Sequence, residues 1–277
     1  MKAAVLFGNE DIRYADWETP ECRPGTVKVR VRATGICGSD VPRVLHHGAH
    51  FYPIVLGHEF SGDVVEVGEG VEGISAGDTV SGAPLAPCMK CADCQLGNFS
   101  LCRHYSFIGS REQGSFAEYV VIPAANAIRY DPSIPYEQAA MFEPSTVAVH
   151  GLLQARYRGG KTVAILGCGT IGIFTLQWAK ILGAKQIIAF DIDDGRLELA
   201  KRMGAHQTVN TLKEGFMEEA KALEWKLTAD CFADGRLKFD PSMIFRTFPL
   251  SEAAQAFALY KNPRDVHGKI MLINKEA

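Results

Sequence analysis

Between Lys161 and Asp191 the chain has few ways to fold. Val163-Ala164-Ile165-Leu166 reads as a short buried strand that leads into Gly167-Cys168-Gly169-Thr170-Ile171-Gly172. An apolar-faced helical stretch then runs to Leu182-Gly183, and a second apolar run, Gln186-Ile187-Ile188-Ala189-Phe190, ends in Asp191. Strand, Gly-x-Gly-x-x-Gly turn, helix, strand and acid, in that order, form the fingerprint of a dinucleotide-binding unit with parallel strands. The glycines let the backbone approach a pyrophosphate, which sits on the helix N-terminus. This assigns Gly167, Gly169, Thr170, Ile171 and Gly172 to the cofactor. Asp191 is placed to bind ribose hydroxyls, and its charge repels a 2′-phosphate, so NAD is favoured over NADP. Arg196 follows closely enough to moderate that preference.

The next constraint is Cys88-x-x-Cys91-x-x-Cys94 with Cys102 eight residues on. Four thiolates in so short a span can close a tetrahedral shell with no open position, which favours a structural zinc lobe. An iron–sulfur cluster or a redox pair uses the same residue type, and the residues between the cysteines do not decide against a cluster. Cys22, Cys168 and Cys231 are isolated in sequence and read as small apolar residues.

A second candidate metal site lies upstream. Leu56-Gly57-His58-Glu59-Phe60-Ser61-Gly62 places a histidine beside a carboxylate, and Gly35-Ile36-Cys37-Gly38-Ser39-Asp40 places a cysteine between glycines. Cysteine, histidine and carboxylate are the ligands of catalytic zinc sites that keep one position open.

Around these motifs, residues 1 to about 130 read as β-rich. Apolar segments such as Val27 to Val31 and Val64 to Val67 are split by glycine turns, which suggests a small barrel. Glu137 to about Gln154 reads as a helix bent at Glu143-Pro144, and spacing alone makes Glu143 a solvated carboxylate. After Asp191 the pattern gives a helix from Asp194 to Met203, a strand at Gln207-Thr208-Val209 and a helical stretch from about Glu214. A complete six-stranded dinucleotide fold then needs further strand–helix units. Instead Lys221 to Leu227 runs straight into Thr228 to Gly235 with no apolar strand between them. The tail from Phe248 to Ile273 reads as a helix and a closing strand.

The net charge is −3 over 277 residues, so no electrostatic case exists for nucleic acid or an anionic membrane. No apolar run is long enough to span a bilayer, and the apolar start is too short for a signal peptide. A cytoplasmic protein is expected, in which clustered cysteines bind metal more often than they form disulfides.

Taken together, the Gly35–Asp40 and Gly57-His58-Glu59 motifs, the four-cysteine lobe, Glu143-Pro144, the glycine turn and Phe248-Pro249-Leu250 resemble the zinc-dependent medium-chain alcohol and polyol dehydrogenases. Within that family, Cys37 to Arg43, Gly48 to Ile54 and Phe107 to Arg111 are most similar to the branch acting on galactitol 1-phosphate, with sorbitol and threonine dehydrogenases as near relatives. The resemblance implies an α/β fold with a β-rich part. Its first portion is a GroES-like β-barrel catalytic domain at 1–145, to which 236–277 returns. Its second is an incomplete Rossmann NAD-binding domain at 146–235.

It also implies that Cys37 and His58 bind a catalytic zinc, with Glu59 and Glu143 completing or exchanging in the shell. Cys88, Cys91, Cys94 and Cys102 hold a structural zinc, and Ser39 relays a proton from the substrate hydroxyl. For a sugar-phosphate substrate, Arg43 is a candidate anion grip, with His47 and His50 behind it. The family's remaining cofactor strands and its usual dimer surface are the parts this chain lacks. The expected partner is therefore a small polyol or polyol phosphate, and the competing expectation is a non-catalytic zinc-binding remnant.

Overall fold

A computed structural model describes residues 1–213, 233, 235, 238, 240–259 and 269–273. By compactness the chain divides into two units, Met1–Thr208 and Val209–Ala277.

The first unit opens with β1 (Lys2–Gly8) and β2 (Asp11–Asp16), an antiparallel pair, followed by the long β3 (Thr26–Gly35), the short helix α1 (Asp40–Leu45) and β4 (Ile54–Val55). Next come β5 (Glu59–Val67), β6 (Thr79–Gly82), β7 (Leu85–Ala86), α2 (Ala92–Gln95), β8 (Ser106–Phe107), β9 (Tyr119–Pro123) and β10 (Ala127–Arg129). A curled five-stranded sheet in the order β10-β6-β5-β3-β9 forms the body of this part, and every neighbouring pair in it is antiparallel. Its core follows from alternation: Val27 and Val29 point inward while Lys28 stays half-buried. They pack with Phe60, Val64, Val80, Ile108 and Ile122.

The expected single bent helix is two helices, α3 (Tyr136–Ala140) and α4 (Phe142–Gln154). The break falls at Met141 instead of Glu143-Pro144, because Pro144 is the third residue of α4. Backbone N–H groups there have no partner within the helix, so proline removes nothing. Strand β9 follows an irregular stretch that includes Gly114. Gly114 packs against the backbone of Gly57, its N–H donating to Val55 O.

Next come β11 (Thr162–Leu166), α5 (Thr170–Ile181), β12 (Gln186–Asp191), α6 (Asp194–Met203) and β13 (Gln207–Asn210), in a sheet of order β11-β12-β13. The pair β11 and β12 is parallel, with Val163 beside Ile187 and Leu166 beside Phe190. Helix α6 has the ends its sequence dictates. The Asp193 carboxylate accepts from Arg196 N–H at the start, and Gly204 turns left-handed at φ 118° at the finish. Ile165, Leu176, Ile187, Ala189 and Leu197 form this region's core.

One expectation is corrected here. The β11 run is a strand, but only Ile165 in it is buried, and Leu166 is 80% exposed. Among the described residues β11 is paired on one side only, so its apolar residues lack the second neighbour that buries such runs.

In the second unit β14 (Ile244–Pro249) and β15 (Lys269–Ile273) pair in parallel, and α7 (Ala253–Ala258) packs on both. The tail thus holds one strand more than its sequence pattern suggested. The helical stretch expected from Glu214, the junction near Leu223 to Leu227, and Cys231 lie outside the described residues. No described helix is long and apolar enough to cross a membrane.

Candidate metal centre and coenzyme turn

The antiparallel pairing of β3 with β5 sets Gly35 opposite Glu59. The cysteine loop leaves the end of β3 where the His58-Glu59 pair enters β5, and this register joins two motifs far apart in sequence. Two glycines make room. Gly57 sits at φ +96°, and a Cβ there would lie 2.4 Å from the Phe116 ring. At Gly35 a Cβ would lie 2.5 Å from Glu59 Oε2.

One ligand atom from each of Cys37, His58 and Glu59 falls within 4.8 Å of the other two. His58 and Glu59 are buried, at 4% and 8% exposure. Burial disfavours the charged form of each group. It lowers the His58 pKa against the pull of Asp40, and it raises Glu59 despite a hydrogen bond with Cys37. It also raises the Cys37 thiol, against hydrogen bonds from Ser39. Glu143 lies outside the close trio but within reach of its charge. Its carboxyl is pushed up to about 7, by burial first and then by Glu59 and Asp40.

His58 Nδ1 is buried with no hydrogen-bond partner. A neutral imidazole with an unpartnered nitrogen, a thiol and crowded carboxyl groups is a donor set that a divalent cation satisfies, and zinc suits its mixture of N, S and O atoms. The residues fit the ion.

The second cluster fits as well. The sulfurs of Cys91 and Cys94 are 3.5 Å apart, and Cys88 to Cys94 and Cys91 to Cys102 are each 4.0 Å apart. A tetrahedral zinc with bonds of about 2.3 Å sets its sulfurs about 3.8 Å apart. All four cysteines are free thiols, too distant for disulfides. Their environments differ: backbone N–H donors, from Arg103 first, lower Cys91 to about 6, whereas burial first pushes Cys94 up to about 12.

Around Cys37 a small network forms. Ser39 Oγ is 3.2 Å from Cys37 Sγ, and Ser39 is exposed to solvent. Asp40, 1% exposed, accepts from Cys37 N–H at 3.1 Å, and its Oδ1 stands 3.8 Å from His58 Nδ1. Sequence reasoning left Asp40 without a role. The available signal was an acid held inside a ligand loop, where a buried carboxylate has to be paired. Arg43, expected to face a phosphate, donates through Nη1 to Ser39 O, Ser39 Oγ and Asp40 Oδ1. His47 and His50 are exposed and outside the cluster.

The glycine turn takes the expected form. Gly167 has φ +92°, Gly169 caps α5, and a Cβ on Gly172 would lie 1.9 Å from Gly167 O. Gly172 is therefore required for strand and helix to approach. Asp191 accepts from the N–H groups of Cys168, Ile192 and Asp193 at 2.6, 2.8 and 3.0 Å. These bonds, led by that from Cys168, hold its carboxyl below the usual range. A carboxylate has about four acceptor positions, so one remains for a ribose hydroxyl. Arg196 Nη1 stands 3.9 Å from Asp191 Oδ2. A cavity is lined jointly by Gly38, from the cysteine loop, and by Gly167, Gly169, Thr170 and Gly172 from the turn.

Two family models match the chain: the alcohol dehydrogenase GroES-like domain over residues 23–132 and the zinc-binding dehydrogenase over residues 170–235. Galactitol 1-phosphate 5-dehydrogenase of Escherichia coli K12 is 44% identical over 212 residues, covering 76% of this chain and 61% of that protein. The chain thus spans less than two thirds of that relative's length. L-threonine 3-dehydrogenase of Shewanella frigidimarina is 37% identical over 236 residues, covering 80% of this chain and 67% of that one. The crystal structure of galactitol-1-phosphate dehydrogenase from Escherichia coli superposes with a TM-score of 0.76 at 30% identity, over 99% of this chain and 100% of that one.

Proposed function

We propose, for a chain that belongs to the zinc-binding alcohol dehydrogenase family, that it oxidises a secondary alcohol of a small polyol or polyol phosphate and passes the hydride to NAD. The observation that carries this reading is the shared cavity, which sets the cysteine loop and the glycine turn against one space. Galactitol 1-phosphate is the favoured substrate, on the 44% identity to the enzyme named for it. The similarity to a threonine dehydrogenase keeps an amino alcohol as the competing substrate. In this reading residues 1–145 carry the metal chemistry, and the coenzyme part begins at 146.

Cys37, His58 and Glu59 would hold a zinc ion, with Glu143 adjoining, and Cys88, Cys91, Cys94 and Cys102 a second one. When bound, zinc would supply Lewis acidity toward an alcohol oxygen and NAD would supply the hydride acceptor. The chain's own residues do the rest. Ser39 Oγ, against Cys37 and open to solvent, takes the hydroxyl proton outward. Phe107, edge-on to His58 with ring centroids 5.5 Å apart, keeps water from the back of the imidazole. The turn Gly167–Gly172 seats the pyrophosphate on α5, and Asp191 holds that turn while offering its free acceptor position to the ribose.

The test is the appearance of NADH when zinc-replete protein meets NAD with galactitol 1-phosphate, sorbitol or threonine. Cys37→Ser should abolish it while leaving the four-thiolate ion in place. Turnover retained in that variant refutes the assignment. A second reading, a metal-binding chain without productive coenzyme binding, is favoured by the exposure of Leu166 beside the glycine turn. It predicts full zinc content with no NADH from any alcohol.

A further inference from the structure

The geometry points to Arg43 as a positioning residue that fixes Ser39 and Asp40 against Cys37 and His58, in place of the substrate-phosphate grip its sequence position suggests. The inference rests on the reading of Cys37, His58 and Glu59 as a metal centre. Nη1 of Arg43 stands 2.9 Å from Ser39 Oγ, 3.0 Å from Ser39 O and 3.4 Å from Asp40 Oδ1. The spacing of three and four residues along α1 brings these groups to one side of the helix.

A guanidinium carries only donors, so Ser39 Oγ accepts from it. The hydroxyl proton is then directed to its other neighbour, Cys37 Sγ, at 3.2 Å. That leaves Ser39 one lone pair to accept the proton of an incoming hydroxyl, and turning its own O–H from Cys37 Sγ toward solvent releases a proton outward.

Asp40 gives the second half of the argument. It is 1% exposed and directs one oxygen to Cys37 N–H and the other toward His58. A carboxylate so buried needs a cation beside it. Arg43 supplies that cation, its Nη1 3.4 Å from Asp40 Oδ1. One guanidinium nitrogen thus anchors both residues that contact Cys37, of which Asp40 also faces His58. An end-on bidentate phosphate grip uses Nη1 and Nη2 together, and Nη1 is already shared among three acceptors.

Partners of this kind, one step behind the ligands, typically hold about 10- to 100-fold in metal affinity. The test loads the protein with cobalt and measures, by competition with a chelator, the affinity of the ion whose visible spectrum is lost in Cys37→Ser. Arg43→Met should weaken that ion at least tenfold and leave the four-thiolate ion unchanged. Arg43→Lys should recover part of the loss, because an ammonium neutralises Asp40 without also holding Ser39. Adding Ser39→Ala to Arg43→Met should cost little more, since the two act as one unit.

Unchanged cobalt affinity in Arg43→Met overturns the proposal. So does a rise in KM for galactitol 1-phosphate with no rise for galactitol. Should Arg43→Met fail to fold, Arg43→Lys carries the same measurement, and full wild-type affinity there is also a refutation. Absence of turnover in the wild type defeats the dehydrogenase reading and leaves the cobalt result to decide the role of Arg43.

Discussion

Gly35→Ala tests whether the register of β3 against β5 builds the metal centre. A Cβ on Gly35 would stand 2.5 Å from Glu59 Oε2 and 3.3 Å from Glu59 Cβ. Ordinary contact needs about 3.5 Å, so the carboxylate oxygen has to retreat by about 1 Å. Gly35 is not among the positive-φ residues, so the backbone accepts alanine and the clash is the effect being measured. Overpacking of this kind costs about 1–3 kcal/mol, and the less flexible unfolded chain returns about 0.4–1 kcal/mol.

The expected net loss of stability is therefore small, about 1 kcal/mol, while a displacement of about 1 Å at a reacting centre costs about 100-fold in kcat/KM. The assay pairs thermal melting with chelator competition for the ion at Cys37, His58 and Glu59, and with NADH formation where turnover is found. Gly8→Ala is the control, since its Cβ meets nothing within 4 Å. A Gly35→Ala protein that melts like the wild type and keeps its metal affinity would refute the claim that this glycine makes room for a ligand.

Other consequences follow from the same geometry. Cys37→Ser should bind one zinc ion fewer than the wild type, whereas Cys94→Ser should lose the other ion and loosen the lobe between β7 and β8; zinc release to a colorimetric chelator separates the two. In metal-free protein Glu143 keeps its proton up to about pH 7, while the unfolded chain gives it up in the ordinary carboxylate range. The folded state therefore holds the extra proton, and stability should fall as pH rises from about 4.5 to 7, by about 2 kcal/mol once partial exposure is allowed for. Melting temperatures of Glu143→Gln should lack that slope. Leu166 is 80% exposed on a strand paired on one side among the described residues, so Leu166→Lys should reduce self-association in size-exclusion chromatography.

The candidate site residues are legible because metal and coenzyme chemistry restricts them to few types at fixed spacing. The four cysteines, the pair His58-Glu59 and the turn Gly167–Gly172 are all brought together as their patterns require. What stayed hidden depended on which atoms meet. Spacing alone read Glu143 as solvated, and nothing local in the sequence reveals that Asp40 and Glu59 crowd it. That Arg43 Nη1 meets Ser39 and Asp40 is likewise not written in their residue types, because α1 has to wind them toward it. The helix break was placed at Pro144 because proline usually ends helices, but in a first turn it does no harm. The apolar run of β11 suggested burial, and burial needs a neighbouring strand that the run itself does not encode.

The central claim is that the metal centre and the coenzyme turn serve one cavity. The most direct measurement is the visible spectrum of cobalt held by Cys37, His58 and Glu59 as NADH is added. The account predicts bands that shift and saturate with coenzyme, and Gly172→Ala protein, its turn blocked, should show no shift. Bands unmoved by NADH in protein that binds the coenzyme would place the two sites apart and contradict the account.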